Sequence, residues 1–331
     1  MADLTIWAMT SGEAGMRTQA LGLAEAIGGT IVEKTVVLRW PWRLLPGHLC
    51  PAPLRRLDPA CDRPAPPWPN VLVTCGRRST AVSIAVRRAS GGHTLTVHVT
   101  DPQCPPEEFD LVVAMAHDRV AGGNVLKVET AIHGITADKM STGAGIWGPR
   151  FEGISSPRIG ILLGGMNRGR GFDRERSEAL LADISRLHSS GIGILVTPSR
   201  RTEDEILARY LSHFDGKTSA YVWDRKGENP YLGILAWADA FVVTEDSVSM
   251  ISEAVSTGKP VGTVTMGGHR SGQSRFIAAL TKAGRVTRFD GTFPQARSNY
   301  AGNVSTATAA EAVKALITEQ KRRNVRHDSR A

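Results

Sequence analysis

Cysteine is scarce in this chain. Cys50, Cys61, Cys75 and Cys104 are the whole set, with no Cys-x-x-Cys pair and no histidine pair at zinc-ligand spacing. That removes zinc-ribbon and dithiol redox readings and leaves four thiols idle in a reducing compartment. Aromatic residues make up only 6% and do not interleave with the arginines, so a base-stacking groove, and with it a nucleic-acid partner, is not expected. No stretch approaches the roughly 20 apolar residues of a membrane helix. Residues 1–9 lack the basic start and long apolar run of a signal peptide, which places the expected protein in the cytoplasm. Gly-x-Ser-x-Gly, His-Glu-x-x-His and Walker A patterns are all missing, so hydrolase and metalloenzyme chemistry lack support and no metal or cofactor is expected.

Glycine and basic charge are plentiful. The 331 residues include 34 glycines, and Lys plus Arg exceed Asp plus Glu by 40 to 32, a formal charge of +8. A chain of this length exceeds one ordinary core, and its charge favours phosphates, acidic glycans or anionic membrane surfaces. Strand-like segments at 4–9, 31–38, 71–75, 95–100, 111–116 and 125–128 alternate with helical periodicity. In the first helix Ala20, Leu23, Ala24 and Ile27 share one face. A later helix begins at Ser79, which reads as its N-cap. A Gly/Ser/Pro-rich break at 152–157 reads as a hinge, after which strands at 158–163, 193–197, 220–223, 241–244 and 261–265 again alternate with helices. Two runs of βαβ units predict two doubly wound, Rossmann-like α/β domains facing across a cleft. The expected division is residues 1–152 and 153–320, followed by a frayed basic tail at 321–331.

Candidate chemistry sits where predicted strands end. After the strand ending at Thr244, Asp246 or Ser247 caps a helix whose free N–H groups, with Ser249, form an anion site. Glu253 on that helix is placed to accept ribose hydroxyls, and Gly258 suits its C-terminal stop. An ordinary, well-capped packing helix accounts for the same residues. Gly164 and Gly165 open a glycine loop in which Arg168 and Arg170 could neutralise phosphate charge, although a merely flexible loop is the alternative. Ser199, Arg200, Arg201 and Thr202 follow the next strand, where adjacent arginines suit a diphosphate or a salt-bridged turn. In the first half, Ser11, Gly12, Glu13 and Gly15 form one turn, and Arg77 and Arg78 lie in another. Asp101 sits where a general base is expected, and just as well where a turn residue is. His117 and Asp118 form a candidate proton-handling pair. Arg39, Trp40, Trp42 and Arg43 suit an anionic membrane interface or an irregular loop packed on its own domain.

Several of these blocks together resemble the plant mitochondrial-fission "elongated mitochondria" family and its bacterial relatives. They are Gly12-x-x-Gly15 with Gln19 to Ala26, Gly76 to Arg78, Asp101-Pro102, Pro106 to Val113, His117-Asp118, Gly164-Gly165 and Ser199 to Thr202. They continue with Asn229-Pro-Tyr231, Trp237 to Asp239, Thr244 to Met250, Ser252 to Ala254 and Thr257 to Pro260. The resemblance implies a GT-B-like fold, with the acceptor in the first domain and a UDP- or GDP-linked sugar in the second. It also implies a phosphate- and ribose-binding helix at Glu253, like that of the N-acetylglucosaminyl transferase of lipid II synthesis. That enzyme docks on the inner face of the cytoplasmic membrane. The chain departs from the pattern at Glu13, where a basic residue would be usual.

The resulting expectation is metal-independent transfer of a sugar from a nucleotide-diphosphate donor to an envelope or lipid-linked glycan. Asp101 or Glu13 would serve as base. Gly164, Gly165, Ser199, Arg200, Arg201, Asn229, Tyr231, Thr244, Asp246, Ser247, Ser249 and Glu253 would take the donor. Ser11, Gly12, Gly15, Gln19, Arg77, Arg78, His117 and Asp118 would take the acceptor. The rival readings are a non-catalytic membrane adaptor, as the plant members' role suggests, and a nucleotide-sugar epimerase.

Overall fold

The computed structural model describes residues 4–165, 173–267, 271–295 and 302–328. The chain forms two compact units, one of residues 1–134 with 304–331, the other of residues 135–303.

The first unit runs β1 (Thr5–Thr10), α1 (Ala14–Ile27), β2 (Thr30–Thr35), β3 (Val71–Cys75), α2 (Thr80–Ala89), β4 (Leu95–Val99), β5 (Leu111–Met115) and β6 (Val125–Val128). Its strands lie in the order β2-β1-β3-β4-β5-β6, all parallel. The reversal of strand order falls between β1 and β3. Every residue of β3 and β4 is buried; β3 accordingly reads as a near-continuous apolar run, while β4 buries Thr96 and His98 on one face as well as its Leu and Val on the other.

The second unit runs α3 (Ala137–Phe151), β7 (Arg158–Leu163), α4 (Arg174–Ser189), β8 (Gly193–Pro198), α5 (Asp204–Phe214) and β9 (Ala220–Val222). It continues with α6 (Tyr231–Trp237), β10 (Ala240–Thr244), α7 (Val248–Ser256), β11 (Val261–Val264), α8 (Ser271–Lys282) and β12 (Thr287–Arg288). The strand order β12-β11-β10-β7-β8-β9, again parallel, is the doubly wound dinucleotide-fold order with its switch point between β7 and β10. The chain then returns to the first unit as α9 (Val304–Asp328).

The fold class is as expected, but the domain boundaries move. The break at 152–157 lies inside the second unit, because α3, before it, already packs there. A Cβ on Gly143 would lie 2.7 Å from Leu232 Cβ, and one on Gly233 2.6 Å from Trp147. Trp147 stacks on Phe151 and both rings meet Tyr221. At the other end, α9 buries Ala309, Ala310 and Val313 in the first sheet's core beside Leu23, Ile27 and Val128. Ser305 Oγ accepts the Thr130 N–H at 3.1 Å. The tail expected to fray from residue 321 continues as helix to Asp328, beyond which it lies outside the described residues.

Two smaller corrections are local. Ser79 does not cap α2; its hydroxyl donates backward, to Cys75 O at 3.1 Å and Gly76 O at 2.8 Å. The second strand stops at Thr35 rather than Leu38, since Val36 begins the crossing toward residue 70.

Candidate functional site

Three loops meet at the switch point of the second sheet. Beyond β7, the Gly164 N–H donates to Thr244 Oγ1 at 2.7 Å and the Gly165 N–H to Asp246 Oδ2 at 2.9 Å. Thr244 Oγ1 in turn donates to Asp246 Oδ1 at 2.7 Å, and Arg201 Nη2 lies 3.0 Å from Asp246 Oδ2. Arg201 also donates to Gly165 O at 3.3 Å. From the β8 loop, Ser199 N–H reaches Leu163 O at 2.7 Å, and Thr202 Oγ1 donates to Leu163 O at 3.0 Å. Asp246 therefore ties the ends of β7, β8 and β10 together with three donors on one carboxylate.

This arrangement changes the reading of the glycines. A Cβ on Gly164 would fall 2.1 Å from Asp246 Oδ1, and one on Gly165 only 1.9 Å from Arg201 O. The space above them is filled by protein, so they permit loop packing rather than close approach of a ligand. Arg168 and Arg170 lie outside the described residues.

Helix α7 starts at this junction. Ser247 is its N-cap, accepting from the Met250 N–H at 3.4 Å, and Ser249 is partly exposed in the first turn. Gly258 stands just past the helix end with φ +72°, a conformation that suits glycine. Arg200 is exposed, and among the described residues no carboxylate pairs with it. Of the two adjacent arginines, one is thus committed to Asp246 and the other is available to a ligand.

Six residues into α7, about 9 Å along the axis, Glu253 is buried and only 6% exposed. The Tyr231 hydroxyl donates to its Oε2. Burial pushes the carboxyl up to about 7, against the opposing pull of that hydrogen bond. Tyr231 is itself pushed well up, first by burial and then by the Glu253 charge. Asn229 accepts the Tyr231 N–H at 3.0 Å and so shapes the start of α6.

A buried carboxylate of this kind weakens the fold. Its pKa is about 7 when folded and 4.5 when unfolded, so the native state keeps a proton that the unfolded chain releases between those values. Stability from this group is full below pH 4.5 and falls as pH rises toward 7. Glu253→Gln keeps an acceptor for Tyr231 and removes the charge. It is expected to stabilise the ligand-free protein by about 3 kcal/mol at pH 8 and by almost nothing at pH 4.5, read from urea unfolding at both pH values.

Lys259 carries a signal that sequence reading passed over. Its ammonium donates to Leu235 O at 2.9 Å and Ala236 O at 2.6 Å, the last carbonyls of α6, where a cation completes a helix C-terminus. The Gly258-Lys259-Pro260 block thereby holds the helix that presents Tyr231. Gln273 was likewise missed; its Nε2 donates to Asp246 O at 2.8 Å.

In the first unit the expected acceptor residues divide. Glu13 accepts from Ser11 Oγ at 2.5 Å and from Arg78 Nη1 at 2.8 Å, joining the loops after β1 and β3 at that sheet's own switch point. Gly12 holds the turn with φ +91°. Arg77 is exposed, and Gly15 lies in the first turn of α1. Gln19 is buried, its amide donating to Gly15 O at 3.3 Å. Asp101 Oδ1 accepts the Gln103 N–H at 2.8 Å, the geometry of a turn residue. Asp118 accepts the Met115 N–H at 3.0 Å and lies 3.7 Å from His117 Nε2.

Nucleotide-sugar enzymes share this architecture. MurG of Acinetobacter baumannii matches with TM-score 0.50 and 13% identity over 96% of this chain and 92% of its own. The UDP-GlcNAc 2-epimerase of Methanocaldococcus jannaschii matches with TM-score 0.50 and 11% identity over 94% of this chain and 99% of its own. The fold is therefore GT-B-like, two Rossmann-type units with the switch point of the second at β7 and β10. Residues 14–317 match the model of the Mitochondrial fission ELM1 family, and the chain belongs to that family. Mitochondrial fission protein ELM1 of Arabidopsis thaliana is 25% identical over 246 residues, 67% of this chain but only 58% of the plant protein.

Proposed function

We propose that this chain binds a nucleotide-diphosphate sugar at the start of α7 and transfers the sugar, without a metal, to an envelope or lipid-linked acceptor. Glu253 carries the reading: a buried carboxylate that costs the empty protein stability and sits on a helix rising from the switch point. A ribose diol would supply the hydrogen-bond donors that favour its charged form. The N-terminal turn at Ser247–Ser249, with Arg200, would take the diphosphate and stabilise it as it departs. Asp101 or Glu13 would deprotonate the acceptor hydroxyl, and Ser11, Arg77 and Arg78 would face the acceptor. The protein would work in the cytoplasm, at the inner membrane face. The named activities of the solved relatives, a UDP-GlcNAc epimerase among them, agree with a nucleotide-sugar ligand.

The test is a melting-temperature shift with UDP, GDP, CMP and their sugars. A ligand at a hundred times its Kd adds about 2.7 kcal/mol, and EDTA should leave that shift unchanged. Arg200→Gln should reduce it. Glu253→Gln should abolish it while raising the melting temperature of the ligand-free protein, a pairing that a merely structural glutamate would not produce. Product analysis for glycoside or epimer then separates a transferase from an epimerase.

A second reading is favoured by the filled space over Gly164 and Gly165: a non-catalytic adaptor that keeps the fold and has closed part of the cradle. No nucleotide would then shift the melting point.

A further inference from the structure

The crossing from β2 to β3 carries a face that the donor reading does not use. From Lys34 to Leu57 the chain contains five Lys or Arg and no Asp or Glu. Its short helical turns at Trp42–Leu44 and Gly47–Leu49 divide their side chains by direction. Trp42 turns inward among Leu38, Cys50 and Leu57, with the Arg56 guanidinium 4.4 Å above its ring. Trp40, Leu44, Leu49 and Leu45 turn outward, exposed by 71%, 63%, 61% and 39%. They are four of the six large apolar side chains exposed among the described residues, gathered within ten positions. Such a cluster inside an acid-free basic segment is costly in water and complementary to an anionic interface.

Arg43 sits between the outward residues yet lines a small cavity with Ser11, Val37, Leu38 and Arg78. The cavity, about 30 Å³, is lined by two guanidinium groups and has room between them for the oxygens of a small anionic group such as a phosphoryl. Arg78 shares its charge with Glu13 at 2.8 Å, whereas among the described residues no carboxylate pairs with Arg43.

We infer that this face docks on a bilayer whose lipids carry phosphate monoester headgroups. Trp40, Leu44, Leu45 and Leu49 enter the acyl boundary, and Arg43 with Arg78 holds one lipid phosphate. The inference rests on the acceptor half of the proposed function and identifies its chemistry as an amphiphilic phosphate. It needs no donor nucleotide.

The experiment is flotation of the full chain with vesicles of phosphatidylcholine alone, or with phosphatidic acid or phosphatidylglycerol added. Binding is expected to phosphatidic acid, more weakly to phosphatidylglycerol and not to phosphatidylcholine, with a blue shift in tryptophan emission. Arg43→Gln should lower binding to phosphatidic acid about tenfold, and Arg43→Lys should restore part of it. Leu44→Ser and Leu49→Ser should each cost about tenfold for every vesicle bound. These side chains are exposed, so unchanged melting temperatures will confirm that the variants are folded. Failure to bind any vesicle overturns the inference. So does equal binding to both anionic lipids that ignores Arg43, or release by millimolar inorganic phosphate, which would assign the pocket to a free ion. UDP shifts measured on the same samples separate the readings: a retained shift without vesicle binding sinks only this inference, and the reverse sinks only the donor site.

Discussion

Gly165→Ala is expected to cost the second unit more than about 3 kcal/mol, at the upper end of overpacking penalties, whereas Gly164→Ala should be repairable. The difference lies in what each new methyl would strike. At Gly165 the neighbours are Arg201 O at 1.9 Å, Arg201 C at 2.1 Å and Thr202 N at 2.4 Å, all backbone. That loop cannot retreat, because Ser199 and Thr202 bind it to Leu163 O at 2.7 and 3.0 Å. At Gly164 the neighbours are the Asp246 carboxylate oxygens at 2.1 and 2.2 Å, the end of one side chain. Asp246→Ala alone leaves the Gly165 N–H, the Thr244 hydroxyl and Arg201 without their shared acceptor, a loss of about 1–3 kcal/mol. The double variant Gly164→Ala, Asp246→Ala should therefore be more stable than the sum of the singles by about 1–3 kcal/mol. Pairing Gly165→Ala with Asp246→Ala should give no such relief. Urea unfolding of the five variants checks this, and strict additivity at Gly164 would show that Asp246 is not what fills its space.

The same contacts explain which parts of the molecule could be read from residue order alone. Both sheets were legible because β3, β8 and β10 are buried on both faces and so appear as short apolar runs between turn residues. The start of α7 was legible because Ser247 before an apolar helix and Gly258 after it are local signals. The unit boundary was not. α3 mixes Gly143, Gly145, Gly148 and Pro149 into a helix, a composition with poor intrinsic helicity. Gly143 and Gly148 are explained only by α6 packed against them, a contact with residues nearly ninety positions away, whereas Gly145 faces open space. The Tyr231–Glu253 pair was likewise half visible. Both residues stood out, but their hydrogen bond links two helices and has no sequence spacing to announce it. Glu13, the departure from the family's basic loop, becomes intelligible once Arg78 is seen beside it. The positive charge expected in the first loop is supplied from the second, and the pair closes the switch point of the first sheet as Asp246 and Arg201 close that of the second.

Acid should destabilise the first unit through two histidines that belong to no candidate site. His98 lies fully buried in β4, its Nδ1 2.9 Å from Thr74 Oγ1 and its ring 5.0 Å from that of Phe109, while Nε2 meets no partner among the described residues. Burial pushes it down to about 3, and His133 down to about 4. Both titrate near 6.5 when unfolded, so below that pH the unfolded chain takes up protons that the fold refuses. Stability is complete above 6.5 and falls as pH drops toward 3 or 4. At pH 4.5 the two histidines together should cost about 5 kcal/mol relative to pH 8. Glu253 works in the opposite direction over the same range, regaining about 3 kcal/mol as it protonates below 7. With both units unfolding in one transition, wild-type protein should accordingly lose only about 2 kcal/mol between pH 8 and 4.5, with its optimum near pH 7, while Glu253→Gln should lose the full 5. His98→Leu tests the assignment, since Thr74 Oγ1 retains Val97 O at 3.3 Å and no polar atom is orphaned. It should change stability at pH 8 by less than about 1.5 kcal/mol and recover about half of the acid loss at pH 4.5. A variant that melts with the wild-type pH profile would clear His98 and place the acid sensitivity elsewhere in the fold.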